Sequence, residues 1–526
     1  MKHSYFFFLV FFLSNTLSVA QFPHWDWAKS NGMATQPNGF ANAITVTNNN
    51  QIYCVGQFNS QTISFGAILL ANEDNYYKND DIFIACYSIL GEVLWAKSMG
   101  GDGDDVAKSI AADKSGNIYI TGSFTSTKIG FGKDTLYNIG QAGTNDAFIA
   151  QYSSAGEEVW AKAIGGSHDD KSNSISVDID NNLYITGSFF SGKLFFQKGD
   201  TVKNADPSGS STDIFLAKYS NEGACVWTKS INGSSLGYDY GYAITTDVHK
   251  NVFVTGGSYS NQLRFDSITI SNSPFNNGKE DSIRLANAVY KMIDDKGNLK
   301  DTIGIKGLKK ESIQYIQTLP PEKRKFEKIF IAKYAESGKL QWAQIVGGSD
   351  DEEGSAIATD ANDNVFITGR FQSSSMTLET ITMENKGSND IFIAKYDKDG
   401  RTLWAKSVGG ISDDRGNAIT VDNTGSIYIA GWFGSPKAIF GKSILNNSGG
   451  KGYTDMFIAK YDTFGNALWA ENAKGKDSEW TNCVAVDRQG NIYLAGGFDS
   501  PEMNLGNIKL TNGKKKSFFI SKIYWK

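Results

Sequence analysis

Short apolar runs, each bounded by Gly, Asn, Asp or Ser, recur along this chain in a fixed order. The run Ile82-Phe83-Ile84-Ala85 returns as Ala147 to Ala150, Ile214 to Ala217, Ile329 to Ala332, Ile391 to Ala394, Met456 to Ala459 and Phe518 to Ser521. A second run, Asn117-Ile118-Tyr119-Ile120-Thr121-Gly122, returns at Gln51, Asn182, Asn251, Asn364, Ser426 and Asn491, each copy preceded by a shorter run such as Ser109 to Ala112. Runs this short, rich in Ile, Val, Tyr and Phe and fenced by turn residues, predict strands. The turn between the shorter run and its successor begins with Asp113, Asp178, Asp247, Asp360, Asp422 and Asp487, and an Asp there caps its own turn backbone. A segment of the type Ile129-Gly130-Phe131-Gly132, lying between the second and third strands, predicts an added hairpin at the rim.

Tryptophan gives the period. Trp27, Trp95, Trp160, Trp227, Trp342, Trp404 and Trp469 each open Trp-Ala-Lys or a variant of it, at intervals of 62 to 68 residues apart from one gap of 115. Six of them follow the pattern Tyr-x3-Gly-x3-Trp, as in Tyr87, Gly91 and Trp95, where the Gly marks a hairpin turn with positive φ. Each unit therefore holds four strands joined by hairpins. Because the runs are apolar on both faces, each sheet must be covered on both sides. Seven such sheets around a ring meet that need, so the predicted fold is an all-β, seven-bladed β-propeller with four-stranded blades. The first strand, Trp25 to Lys29, is a fourth-strand copy without a predecessor, and Phe518 to Tyr524 is a third-strand copy without a successor. Their pairing would complete the last blade. Lys29, Lys97, Lys162, Lys229 and Lys406, two residues after their tryptophans, would guard the outer edges against further pairing.

Three motifs carry a resemblance: Asp-Ile-Phe-Ile-Ala-Lys-Tyr at Asp390 to Tyr396, Gly-Gly-x-x-Asp-Asp at Gly165 to Asp170, and Gly-Asn-Ile-Tyr-Ile-Thr-Gly at Gly116 to Gly122. In these the chain resembles the bacterial seven-bladed β-propeller repeat family, SBBP. That resemblance implies the propeller fold and an extracellular or cell-envelope setting, with no shared catalytic residue and no single ligand.

Composition adds limits. A net charge of −5 without a basic block argues against nucleic acid as a partner. Lys2 and His3, the apolar run Tyr5 to Leu13 and the small residues Ser18-Val19-Ala20 read as a signal peptide over residues 1–20. No later stretch is long and apolar enough to span a membrane. The expectation is a monomer that is secreted, periplasmic or on the cell surface, its propeller running from 21 to 526. The four cysteines are irregularly placed and are expected to be mostly free thiols, a Cys54 to Cys86 bridge within one blade being the alternative. The long gap holds an insertion at about Pro274 to Glu327. Ile283, Ala286, Val289, Tyr290 and Ile293 keep helical spacing there, and a second helix over Lys309 to Leu319 would end at Pro320-Pro321, giving a small, partly helical excursion from the fourth blade.

Candidate chemistry lies where the repeat is decorated. Eight residues before each turn Asp stands a second acid: Asp105, Asp170, Asp239, Glu352, Asp414 and Glu479, with Gly39 in the first copy. This acidic ring falls near one mouth of the central channel, where each carboxylate would accept backbone N–H groups and pin a crossover loop. A weak site for Ca²⁺ is the functional alternative; nothing fits a dedicated metal loop. His24, His168 and His249 form no metal-ligand pair or nucleophile motif, so no catalytic residue, cofactor or metal is assigned. Repeat-breaking residues mark the candidate binding surface: Arg370 and Trp432 after the second-strand Gly, Trp480 after Glu479, and Tyr238, Tyr240 and Tyr242 beside Asp239. Arg370 and Trp432 are expected at the far ends of their strands, on the face opposite Trp480 and the tyrosines. The crossover face, where aromatics adjoin Asp239 and Glu479, is the preferred one, although these aromatics could simply pack a longer link against the next blade. These features point to a binding or scaffold module for an extracellular glycan or protein; the alternative is an exported glycan-active hydrolase or lyase.

Overall fold

The computed structural model describes residues 23–30, 38–74, 78–141, 143–197, 199–234, 237–271, 326–512 and 516–525. The reading of residues 1–20 as a signal peptide and nearly all of the proposed helical insertion lie outside them. The described residues form seven antiparallel blade sheets, six of four strands and one in which four strands are joined by a rim hairpin, besides six separate two-stranded hairpins. Each is one blade of a closed propeller. In blade 2 the strands run Asp105–Ala112, Ile118–Phe124, Asp146–Tyr152 and Glu158–Ile164 from the channel outwards. Among the described residues no helix is long and apolar enough to cross a membrane.

Two-sided burial holds the ring together. Ile118–Phe124 and Asp146–Tyr152 are buried at every residue, because odd residues face one neighbouring blade and even residues the other. Tyr119 packs with Ile149 and Trp160 on one side of blade 2, whereas Ile118, Ile120 and Phe148 pack with blade 1 residues such as Ile84 on the other. The same parity decides the cysteines. Cys54 lies opposite Ala85 and Cys86 opposite Tyr53, so the two thiols emerge on opposite faces of blade 1 and cannot meet. None of the four cysteines is in a disulfide.

The tryptophan period is a latch between blades. The indole N–H of Trp27, in blade 7, donates to the carbonyl of Ile89 at 3.0 Å, inside the turn joining the third and fourth strands of blade 1. Gly91 of that turn has φ +77°, and a Cβ there would lie 2.7 Å from the Trp27 ring. Only glycine satisfies both the left-handed backbone and the contact. Trp95, Trp160, Trp227, Trp342 and Trp404 reach Ser154, Asn221, Glu336, Lys398 and Thr463 in the same way. Trp469 faces the last blade, where the chain ends meet and that turn does not exist. There Trp525 packs edge-on against it, ring centroids 5.4 Å apart, and donates instead to the carbonyl of Gly490 at 3.0 Å.

The ends close the ring as the orphan strands require. Pro23–Ser30 pairs antiparallel with Ser517–Trp525, placing Trp27 opposite Lys522 and Lys29 opposite Ile520. Lys522 also forms an ion pair with Asp26 at 2.9 Å. The rim hairpins follow the second strands, as in Thr62–Phe65 with Ile68–Ala71, and that of blade 4 reaches back to pair Phe265 with Ile231 of blade 3.

Deleting residues 23–30 should leave a three-stranded blade with an open edge and remove the buried Trp27. We expect a loss of about 3 kcal/mol or more, read as a lower urea midpoint. An unchanged midpoint would show that the ring does not depend on this seam.

Candidate functional site

The acidic ring is half of a double ring. Each of its members is fully buried and belongs to the first residue of an innermost strand. Across the crossover stands an acid that opens the third strand of the preceding blade: Asp81 beside Asp105, Asp146 beside Asp170, Asp213 beside Asp239, Asp390 beside Asp414 and Asp455 beside Glu479. These partners are buried as well. The crossover wraps tightly over the pair, so tightly that a Cβ on Gly100 would fall 2.2 Å from Asp81. The Gly-Gly link of the repeat is therefore a steric requirement.

Two buried carboxylates cannot both stay ionised at contact distance. Burial first, opposed by serine and backbone donors, raises Asp105 and Asp170 to about 8, Asp239 to about 7, Asp414 to about 6 and Glu479 to about 8. Asp81 and Asp146 rise to about 7, again chiefly from burial. Near neutrality burial keeps Asp105, Asp170 and Glu479 largely protonated, while Asp81 Oδ1 and Asp390 Oδ1 are buried without a hydrogen-bond partner among the described residues. A serine completes each site: Ser126, Ser191, Ser260 and Ser435 donate at 2.7 Å to Asp105, Asp170, Asp239 and Asp414. Two interfaces depart from the pattern. At the blade 4 to 5 interface Lys328 replaces the third-strand acid and pairs with Glu352 at 2.9 Å. At the closing interface the positions hold Ser517 and Gly39, and the hydroxyl of Ser60 turns to the carbonyl of Thr62 instead.

Asp239 and Glu479 are therefore not ligand contacts, because their carboxyls lie inside the blade interfaces. A cation such as Ca²⁺ would have to enter those interfaces to reach any member of the ring. The residue after each acid is the one at the mouth. Register brings the repeat-breaking residues there together: Glu353 lies opposite Arg370, Arg415 opposite Trp432, Tyr240 opposite Gly257 and Trp480 opposite Gly497. This corrects the expectation of opposite faces. The second strand runs antiparallel to the first, so its far end returns to the acid's end of the blade, and Arg370, Trp432, Trp480 and Tyr240 share one mouth.

One sector of that mouth is a connected network. Arg370 Nε donates to Glu353 at 3.2 Å and its Nη1 to Asn389 at 3.2 Å. Arg415 donates to the same Glu353 carboxylate, and Arg370 Nη2 lies 3.6 Å from Glu327. Tyr242 donates to Glu327 at 3.0 Å, and its ring stacks on Tyr240 with centroids 5.7 Å apart and planes 11° apart. Glu327 lies over Gly257, where any side chain would collide with it. Burial, then the charge of Glu353, raises Glu327 to about 7, and burial with Glu327 pushes Tyr242 well above the usual phenol range. Further round the mouth, Trp480 packs on Phe40 at 5.9 Å, and Lys516 lies over the Phe40 ring. Tyr238 is 44% exposed and rests against Phe190.

Sequence reasoning passed over Glu327, Glu353, Arg415 and Lys516, which stand at repeat positions of variable residue type. It also separated His249 from ligands that the fold supplies. His249 Nδ1 lies 2.9 Å from Asp363 Oδ1 in the next blade, and Asp247 completes a trio able to hold a metal ion. Lys333 already offers positive charge to both carboxylates, and Lys250 with Asp180 spans the preceding interface at 2.9 Å. The trio fits that series of ion pairs between blades. Two open grooves between rim hairpins, one around Lys203, Lys229 and Arg264, the other around Asp74, Lys78 and Asp102, lie away from the mouth and gather few aromatic groups.

The family described as SBBP, beta-propeller repeat, matches residues 94–126 and 159–188, so the resemblance stands at two places in the chain. An uncharacterized WD repeat-containing protein of Acanthamoeba polyphaga mimivirus is 26% identical over 479 residues, 81% of this chain and 32% of that protein. The regulatory protein FlaEY of Caulobacter vibrioides is 28% identical over 111 residues, 21% of this chain and 12% of that protein. The chain thus spans a third or less of the length of these relatives. Among solved structures, the Neurospora crassa Pan2 WD40 domain is 7% identical with a TM-score of 0.42, covering 95% of each chain. A protein of unknown function from Dyadobacter fermentans gives the same identity and TM-score, covering 96% of this chain and 99% of that one.

The carboxyl pairs set a pH dependence. Their folded pKa values lie above the unfolded Asp value of about 4, so between about pH 4 and about pH 8 the folded protein binds protons that the unfolded chain has released. Stability must then fall as pH rises through that window, by up to about 1.4 kcal/mol per pH unit for each excess proton. The urea midpoint should be higher at about pH 5 than at about pH 8, and Asp105→Asn should flatten the profile by the share of one pair. A midpoint that is flat or rises over this range would contradict proton retention by these acids.

Proposed function

We propose that the propeller is an exported binding module whose channel mouth takes a glycan. One observation carries this reading: cross-strand register gathers Tyr240, Arg370, Arg415, Trp432 and Trp480 on a single mouth. Aromatic rings offer flat apolar surface to the C–H faces of sugars, and the guanidiniums and carboxylates between them offer donors and acceptors to hydroxyls. Export rests on the reading of residues 1–20 as a signal peptide, and with it a place outside the cytoplasm, free or at the cell envelope.

A glycan-active hydrolase or lyase is the second reading, favoured by the buried couple of Tyr242 and Glu327 beside Arg370. The raised pKa of Tyr242 weighs against it, since a phenol so hard to ionise serves as a donor more readily than as a nucleophile. Binding is the reading we hold.

A glycan array probed with the mature chain tests it. Tyr240→Ala and Trp480→Ala should each weaken a positive signal by about tenfold or more, equivalent to about 1.4 kcal/mol, without moving the melting temperature by more than a few degrees. Unchanged affinity in both variants would remove the mouth from consideration. Lost stability in place of lost affinity would assign the aromatics to packing.

A further inference from the structure

The innermost strands share a one-residue bulge, three positions after the acid, whose side chain lines the channel wall. Four copies hold Asn there, and each bridges to the next blade: Asn42 to the carbonyl of Ala107 at 2.8 Å, and Asn173, Asn417 and Asn482 to Gly241, Thr481 and Ala41 at 2.9 Å. This is a structural position with a structural donor. Blade 2 places Lys108 in it instead, at the bulge between Ala107 and Ser109. Blade 3 places Lys171 directly after its acid, opposite Ser188, where other blades carry Phe40, Val106, Tyr240 or Trp480.

Both lysines are exposed, and among the described residues neither is given an ion-pair partner. Lys108 is open to water yet ringed by protein, as a side chain in a channel mouth should be. Its ammonium is lowered, first by those surroundings and then by the charge of Lys171. Asp80 is the acid that acts on Lys108, and its Oδ2 already accepts from Gln57 at 2.8 Å. Two cations are thus held near each other at an aromatic-flanked mouth, with Asp80 the acid that acts on Lys108 and no ion-pair contact to either lysine among the described residues. Lys516 in blade 7 adds positive charge around the same opening, and Arg370 and Arg415 in blades 5 and 6 stand there paired with Glu353, whereas the acids of the ring beneath are buried.

We propose that the glycan bound at this mouth is an acidic one, with Lys108 and Lys171 receiving its carboxylate or sulfate. The proposal rests on the glycan reading above. Lysine presents a mobile point charge, suited to an anion whose position is fixed by the stacking of its sugar ring elsewhere. An anion between the two ammoniums also relieves their repulsion, an effect absent for a neutral sugar. A saccharide is the occupant because the same opening carries Tyr240, Trp432, Trp480 and Phe40 beside the cations, and the last two already form one packed surface.

The test uses the full mature chain on an array carrying neutral, uronate-containing and sulfated oligosaccharides, at about 50 and about 500 mM NaCl. Acidic glycans should dominate at low salt and lose about tenfold or more at high salt. Lys108→Gln and Lys171→Gln should each remove most of the acidic signal while leaving the melting temperature in place. The uronate and sulfate arms identify which anion is read. Equal binding of neutral glycans, or unchanged binding by both variants, overturns the inference and leaves the glycan reading standing. Displacement of the glycan by poly-aspartate as effective as by the glycan itself would show that charge alone is read, and overturns it too. Binding to no glycan of any class would overturn the glycan reading itself.

Discussion

Every second and third strand of this protein is apolar on both faces, and that constraint governs the rest. A sheet of this kind has no solvent side, so each blade must be sandwiched, and only a closed ring supplies a neighbour on both sides for all of them. The period of the sequence follows from the same demand. Tryptophan, the positive-φ glycine and the tight crossover are the parts of the repeat that touch the next blade, and the turn glycine beneath the indole leaves no room for a side chain. Where the chain ends interrupt the repeat, Trp525 takes up the space against Trp469 that a turn glycine would otherwise frame.

The buried carboxyl pairs show how a polar device survives inside such an interface. Ionising both members would be costly, so burial favours their neutral form, and serine hydroxyls hold the ring acids under the crossovers. Lys328 reaches the same end by opposite means, with a charge that neutralises Glu352. Both solutions hold the residues of the mouth on a rigid floor, which is what a recognition surface built from single side chains requires.

The fold was legible in the sequence because seven copies repeat each signal, and because the orphan strands at the two ends matched. Parity was also there to be read: Cys54 and Cys86 lie on adjacent strands, but their register sets them on opposite faces, which requires knowing which residues stand opposite each other. The same gap misplaced Arg370 and Trp432. A strand's far end was taken as the far side of the ring, although a hairpin brings it home. The acid opening each Asp-Ile-Phe-Ile run was visible, but its partner lies a crossover away and their meeting is a tertiary fact. Glu327, Lys108 and Arg415 gave the least signal, since they break the repeat singly; only the bulge places Lys108, and only cross-strand register places Arg415 at the mouth.

The seam has a consequence for how the protein comes into being. Asp26 and Lys522, which form an ion pair across it, are 496 positions apart. The first strand of the seam must wait for those intervening residues to be made, tens of seconds at ordinary rates of synthesis, before its partner exists. Throughout that interval the nascent chain presents an unpaired edge and an uncovered first blade, both open to association with other chains. A contact of such long sequence separation is costly to close, so the seam is where this fold is most exposed while the chain is being made.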